Sequence, residues 1–289
     1  MSTNCRYEFQ LKHFGFKDCK PRRFQTLQWS RSKFLFVIYR LFTFTFQLGW
    51  MIAGCIGRSD SYFFKLSNWC MFYSTIYYGF ACISAIHGLF VNNEKNEKKK
   101  SSATCGYYNN ALTQSTEEIK KRKLSISESI DVEATQNIES DNDDLRWFHK
   151  ITWIFHTIAF DTVVLVTAVY WIAVFPTEAK EDQDIHGYAK HAMNIGLLFI
   201  DMLFVNTPVR FLHTIYMILA CVCYSVFLVI IHFVGLESSV YGFTNFDENP
   251  GLAAGVLALV TFVGSWIFHS LWFGIYHFRW FLSRSCHVE

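Results

Sequence analysis

FLHTIYMILACVCYSVFLVIIHFV, residues 211–234, runs through 24 positions without one Asp, Glu, Lys or Arg. A helix crossing a membrane needs ~20 mostly apolar residues, because the hydrocarbon core is ~30 Å thick and each helical residue rises ~1.5 Å. A surface helix of a soluble domain would show a polar face recurring every three or four residues, and this stretch has none. Outward from it, five further apolar stretches occupy approximately residues 34–56, 67–91, 151–175, 191–207 and 251–282. The 191–207 stretch is the shortest and carries Asp201. The expectation is an all-α polytopic membrane protein, with six transmembrane helices in one bundle.

Composition agrees: 52% of the 289 residues are AVILMFWYC and 18% are aromatic, with 30 Phe. That is too apolar and aromatic for an ordinary soluble domain. The net charge of +2 implies no nucleic-acid partner. The basic residues are unevenly placed. Residues 1–33 hold eight Lys/Arg, loop 92–150 holds ten, and Arg210, Arg279 and Arg284 fall on the same side, making 21 of 26. The opposite side has only Arg58, Lys65, Lys180 and Lys190, with Arg40 inside the first stretch. Basic loops stay cytosolic, so both termini are expected in the cytosol of a plasma-membrane or endomembrane protein.

The domain reading follows. Residues 1–33 form a cytosolic arm, 34–91 carry helices one and two, 92–150 form a disordered cytosolic loop, 151–282 carry helices three to six, and 283–289 form a cytosolic tail. The first 33 residues show no cleavable leader, so the first helix is expected to be the insertion signal. The loop is rich in Lys, Glu, Ser and Asn and cannot bury enough apolar surface to offset its entropy. Its basic cluster at residues 120–123 precedes Ser125, Ser127 and Ser129, the pattern of a lipid-surface patch under phosphorylation or of a plain solvated linker. The nine Cys give no disulfide framework; Cys286 is either a free thiol or a palmitoylation site. Pro176, Pro208 and Pro250 mark helix edges, and Trp29, Trp50, Trp69, Trp147, Trp171 and Trp280 lie near helix ends, where amphipathic rings prefer to sit.

Ionisable groups inside helices are costly and are usually paired or functional. Residue counting puts Arg40, Asp161 and Asp201 in the inner third, where one buried ion cluster is expected. A second layer lies near the outer face, where Ser67, His191 and His232 fall at similar depth. A hydroxyl and two imidazoles at one depth suit a nucleophile with its base, although such groups more often cross-link helices. Asn194 follows His191 by one turn and is a candidate oxyanion donor. No zinc-type spacing and no repeated histidine pair for haem occurs, so neither metal nor cofactor is expected. The expected partners are membrane lipids, with membrane-protein partners unspecified and a homo-oligomer compatible with the sequence.

Several short patterns, in order, resemble the rolling stone family of invertebrate membrane proteins. They are Gln28-Trp29 with Phe34-Leu35 and Tyr39-Arg40, then Lys65-Leu66-Ser67-Asn68-Trp69, Tyr170-Trp171 and His191-Ala192-Met193-Asn194 with Asp201. Pro208-Val209-Arg210 with His213, and Tyr241-Gly242-Phe243 with Asp247 and Pro250-Gly251, complete the set. The resemblance covers nearly the whole chain except 92–146 and implies a role in myoblast-type cell fusion, hence myogenesis, or in membrane organisation. A fainter likeness reaches the androgen-induced and androgen-dependent hydrolases of fatty-acid esters of hydroxy fatty acids. It implies Ser67 in place of their catalytic Thr and His191 as the first of their two His, while their catalytic second His falls on Asn194. Asn cannot be a general base, so either His191 or His232 substitutes or the chemistry is lost.

Overall fold

The computed structural model describes residues 9–17, 19–28, 32–56, 62–112, 144–177, 185–237 and 240–285. The expectations placed on Trp29, Ser125, Ser127, Ser129 and Cys286 lie outside them. The described chain is helical, with one isolated antiparallel bridge between Leu27 and Val205. Helix α1 is Lys33–Ile56, α2 Leu66–Leu112, α3 Trp147–Val169, α4 Asn194–Phe204, α5 Thr214–Phe233, α6 Pro250–Ala258 and α7 Ser265–Ser285.

Five helical stretches are long and apolar enough to cross a membrane: Lys33–Ile56, Leu66–Val91, Trp147–Ile172, Phe211–Phe233 and Pro250–Leu282, the last joining α6 to α7. Six were expected. The stretch placed at 191–207 is instead helical from 185 to 204, and its composition leaves it outside that set. The cause is visible in its side chains. Lys190, His191, Asn194 and Asp201 are buried among the other helices, so its polar face is covered by protein, while Phe199, Ile200 and Phe204 point outward. Large apolar side chains such as Phe34, Ile38 and Phe42 on α1, and Phe262, Ile267 and Phe278 on the last stretch, point outward. An outer surface this apolar suits lipid, not water.

Helix ends obey local chemistry. Asn249 accepts from the Leu252 N–H and Pro250 opens α6, where its missing donor costs nothing. Gly235, at φ 75°, closes α5, with the Leu236 N–H donating to Ile231 O and the Gly235 N–H to His232 O. Helix α2 continues to Leu112, well beyond its apolar part and into the expected loop, first through the Lys- and Glu-rich residues 94–100; residues 113–143 are not described.

Residues 9–17 and 19–28 pack onto the bundle. They fold over one end of the bundle, and backbone carbonyls of the arm are gripped from below. Arg210 donates to Gly15 O at 2.7 Å and Tyr216 to Phe14 O at 3.1 Å. Arg23 donates to Asn206 O at 3.2 Å and to the Tyr276 hydroxyl at 2.7 Å. Phe24 is buried against Trp153 and His149, and the Arg210 guanidinium stacks on Trp153. Burial pushes the Cys19 thiol in this arm up to about 11. This end of the molecule is the arm end.

Candidate functional site

At the opposite end the helices enclose a cavity of ≈ 910 Å³. Its walls are apolar: Leu165, Val166 and Val169 from α3, Cys221 and Leu228 from α5, and Val256, Leu257 and Val260 from the last stretch. One side is polar, with Lys65, Ser67, Lys190, His191, Tyr241 and Thr244. Three π-helical turns, at Tyr170–Val174, Ala189–Met193 and Leu259–Gly264, interrupt three different helical stretches, and residues of all three line this one cavity. Such turns are rare, well under ~1% of residues, and concentrate at functional sites because the extra residue bulges the helix. Two of the three are joined directly. The Tyr170 and His191 rings stack with centroids 3.7 Å apart and planes 6° apart, and the Thr167 hydroxyl donates to His191 O at 3.1 Å.

The cavity rim is braced by tyrosines. The Tyr241 hydroxyl accepts from the Leu66 N–H at 2.9 Å, one of the donors that the start of α2 leaves without a helical partner. The Tyr224 hydroxyl donates to Phe64 O at 2.7 Å. Tyr241 lies in the 240–249 connection, and burial pushes its phenol up, keeping it neutral.

Of the outer-layer candidates, Ser67 and His191 both line the cavity, although no hydrogen bond joins them among the described residues. The other two stand elsewhere. His232 points into the 240–249 connection, 3.7 Å from the Asp247 carboxylate and against Phe246, and does not line the cavity. Its depth had been inferred from residue count, which is blind to the direction in which a side chain leaves its helix. Asn194 is buried with both ends of its amide lacking a partner among the described residues, and it too does not line the cavity. The π turn ends immediately before it and changes the face that three-residue spacing would give.

The expected ion cluster separates into two pairs. Arg40 meets Asp201 at 2.7 Å. Tyr39 donates to the same carboxylate at 2.8 Å, Tyr77 donates to its second oxygen, and Arg40 also reaches the Tyr77 hydroxyl at 3.1 Å. Asp161 is not part of this group. It pairs with His269 Nδ1 at 2.8 Å, and His269 Nε2 donates to Arg210 O at 2.9 Å. A carbonyl only accepts, so Nε2 carries a proton and a second proton is shared across the Asp161–His269 contact. Arg279, buried on the last stretch, donates to Val205 O at 2.6 Å and to Met202 O. Among the described residues no three metal-type ligands come together.

These features define a helical integral membrane protein with a cavity inside its bundle. The profile of the family described as Protein rolling stone matches residues 125–289, more than half of the chain. The chain belongs to the rolling stone family. It is 22% identical to Protein rolling stone of Drosophila melanogaster, over 97% of this chain and 92% of that protein. No solved structure matches.

Proposed function

We propose that this protein crosses the membrane six times with both termini in the cytosol, and serves cell fusion or membrane organisation by holding a single-chain amphiphile in its cavity. The observation that carries this reading is the cavity ringed by three π turns, with apolar walls and one polar side. Its volume lies in the ~300–1,000 Å³ range of small-ligand sites. The sixth crossing is supported by the course of residues 185–204 alongside α1. His186, near its start, lies against Trp50 and Tyr62 at the cavity end, while Asp201 holds Arg40 and Phe204 O accepts from the Gln28 N–H at the arm end. A segment that meets α1 near both of its ends supports a sixth crossing. Family membership supports the fusion role, and the basic loops support the orientation and a plasma-membrane or endomembrane site.

The test is mass spectrometry of the intact protein extracted gently from membranes. A co-purifying single-chain lipid, lost in Val256→Trp, is expected. Recovery of the parent protein without such a lipid, and with no uptake of an added one, would sink the lipid reading. Epitopes inserted in 92–146 should label only after permeabilisation. Fusion that proceeds normally in cells lacking this protein and its paralogues would remove the cellular role.

A second reading, lipid-ester hydrolysis, is favoured by Ser67 and His191 facing the same cavity. Ser67 would attack the ester carbonyl while His191 takes its proton and returns it to the leaving alcohol. Water would then release the acid from the acylated serine. Proton transfer requires the two side chains within ~3.2 Å or joined by one water. A serine-reactive lipid probe that labels Ser67→Ala as strongly as the parent would exclude it.

A further inference from the structure

We infer that the cavity selects an amphiphile with an anionic headgroup, a carboxylate or a phosphate on one acyl chain, seated against Lys190, Lys65 and His191. The inference rests on the lipid-holding reading above and names the chemistry it left open. Among the described residues that line the cavity, two are lysines and none is Asp or Glu. Lys190 is 6% exposed, so an ammonium sits at the inner polar wall, while Lys65 stands exposed at the rim. An ion held beside apolar walls in a low-dielectric interior attracts an opposite charge far more strongly than it would in water.

Hydrogen-bonding groups point the same way. The His191 ring lines the same wall, with its Nδ1 sealed off from the cavity, so Nε2 is the nitrogen that can meet a bound head. In the Nε2–H tautomer it donates. The Ser67 hydroxyl lines the same wall and is a second donor. Four donors or cations, Lys65, Ser67, Lys190 and His191, facing apolar residues of α3, α5 and α6, fit a charged head joined to a hydrocarbon tail. A neutral head would gain nothing from the two lysines that line the cavity, and a diacyl lipid would need room for a second chain.

The full-length protein, held in neutral phosphatidylcholine nanodiscs, separates the possibilities. Oleate, oleoyl lysophosphatidate and mono-oleoylglycerol carry the same chain on a carboxylate, a phosphate and a neutral head. At least one of the two anions is expected to bind about tenfold or more tightly than the glycerol ester. Which anion does so identifies the source of the charge. Lys190→Gln should bring the anion and the ester to within about threefold of each other. Lys65→Gln, at an exposed position that folding does not depend on, should lower anion binding alone. If mono-oleoylglycerol binds as tightly as both anions, the charge inference is overturned and the lipid-holding reading stands. If none of the three binds, both fall.

Discussion

Both ends of the bundle carry buried polar side chains, and they differ in what those side chains border. At the arm end each buried charge has a protein partner. Arg40 has Asp201, Asp161 has His269, Arg279 has two carbonyls, and Arg23 and Arg210 reach across to the segments they hold. At the cavity end the polar groups border an open volume, and three helical stretches depart from regular α geometry around it. Pairing fixes helices against each other. An open volume framed by bulged helices leaves surface to recognise something else. The difference separates residues that hold the fold from residues that border the proposed lipid site.

The largest expected effect tests the first half of that contrast. Arg40→Leu leaves the Asp201 carboxylate buried without its cation, which typically costs ~3–5 kcal/mol. Thermal unfolding in detergent should show a strongly lowered midpoint, and Arg40→Leu combined with Asp201→Asn should recover part of the loss. The separation into two pairs gives a sharper check. Arg40→Leu and Asp161→Asn should add to within ~0.5 kcal/mol, as independent sites do. A coupling well above that would mean a single cluster.

A smaller effect is expected where the arm meets α2. A Cβ added at Gly88 would sit 2.7 Å from Gln25 Cβ and Cγ, close to the arm backbone where little can give way. Gly88→Ala should therefore lift the arm at a cost of ~1–3 kcal/mol, the usual range for overpacking. Limited proteolysis is expected to cut near residue 20 in the variant and not in the parent. Equal resistance would mean that the arm tolerates the displacement.

At the cavity end a comparable insertion should do much less. Val256→Trp adds bulk where volume is available, so stability should change by under ~1 kcal/mol even as lipid is displaced. A loss as large as that of Arg40→Leu would contradict the division between a packed end and an open one.

What the sequence revealed follows the same division. Runs of apolar residues report span length, and Gly235 and Pro250 report where helices stop and start. Depth along a helix can be counted, which is why Arg40 and Asp201 were matched from residue number. Direction around a helix cannot be counted so simply. Asp161 lies at a suitable depth yet faces α7, where its partner His269 is 108 residues away in sequence. His232 fails as a cavity residue for the same reason. The π turns leave no compositional mark, since they differ from α-helix only in which carbonyl each N–H reaches. The sequence marks residues 1–33 as a basic, polar cytosolic arm and says nothing of what the arm packs against. Its anchors are carbonyl oxygens, which every sequence has.

The smallest effect concerns that arm and depends on pH. The Cys19 thiol is held up to about 11 by burial, the neighbouring Arg23 and Arg210 only partly opposing the shift. A thiol in the detached arm would ionise near 9.0, and the docked one stays protonated until about 11. Thiolate formation therefore favours the detached arm, so docking is at full strength below pH 9 and weakens as pH rises from 9 towards 11. Alkylation of Cys19 with iodoacetamide at pH 8 should lag far behind its alkylation in the protein unfolded in denaturant, because the thiolate is the nucleophile. In Gly88→Ala the lag of Cys19 should shrink. Equal rates for Cys19 in the folded and the unfolded parent at pH 8 would show that the arm does not cover its end of the bundle in solution, and the contrast between the two ends would lose its sealed half.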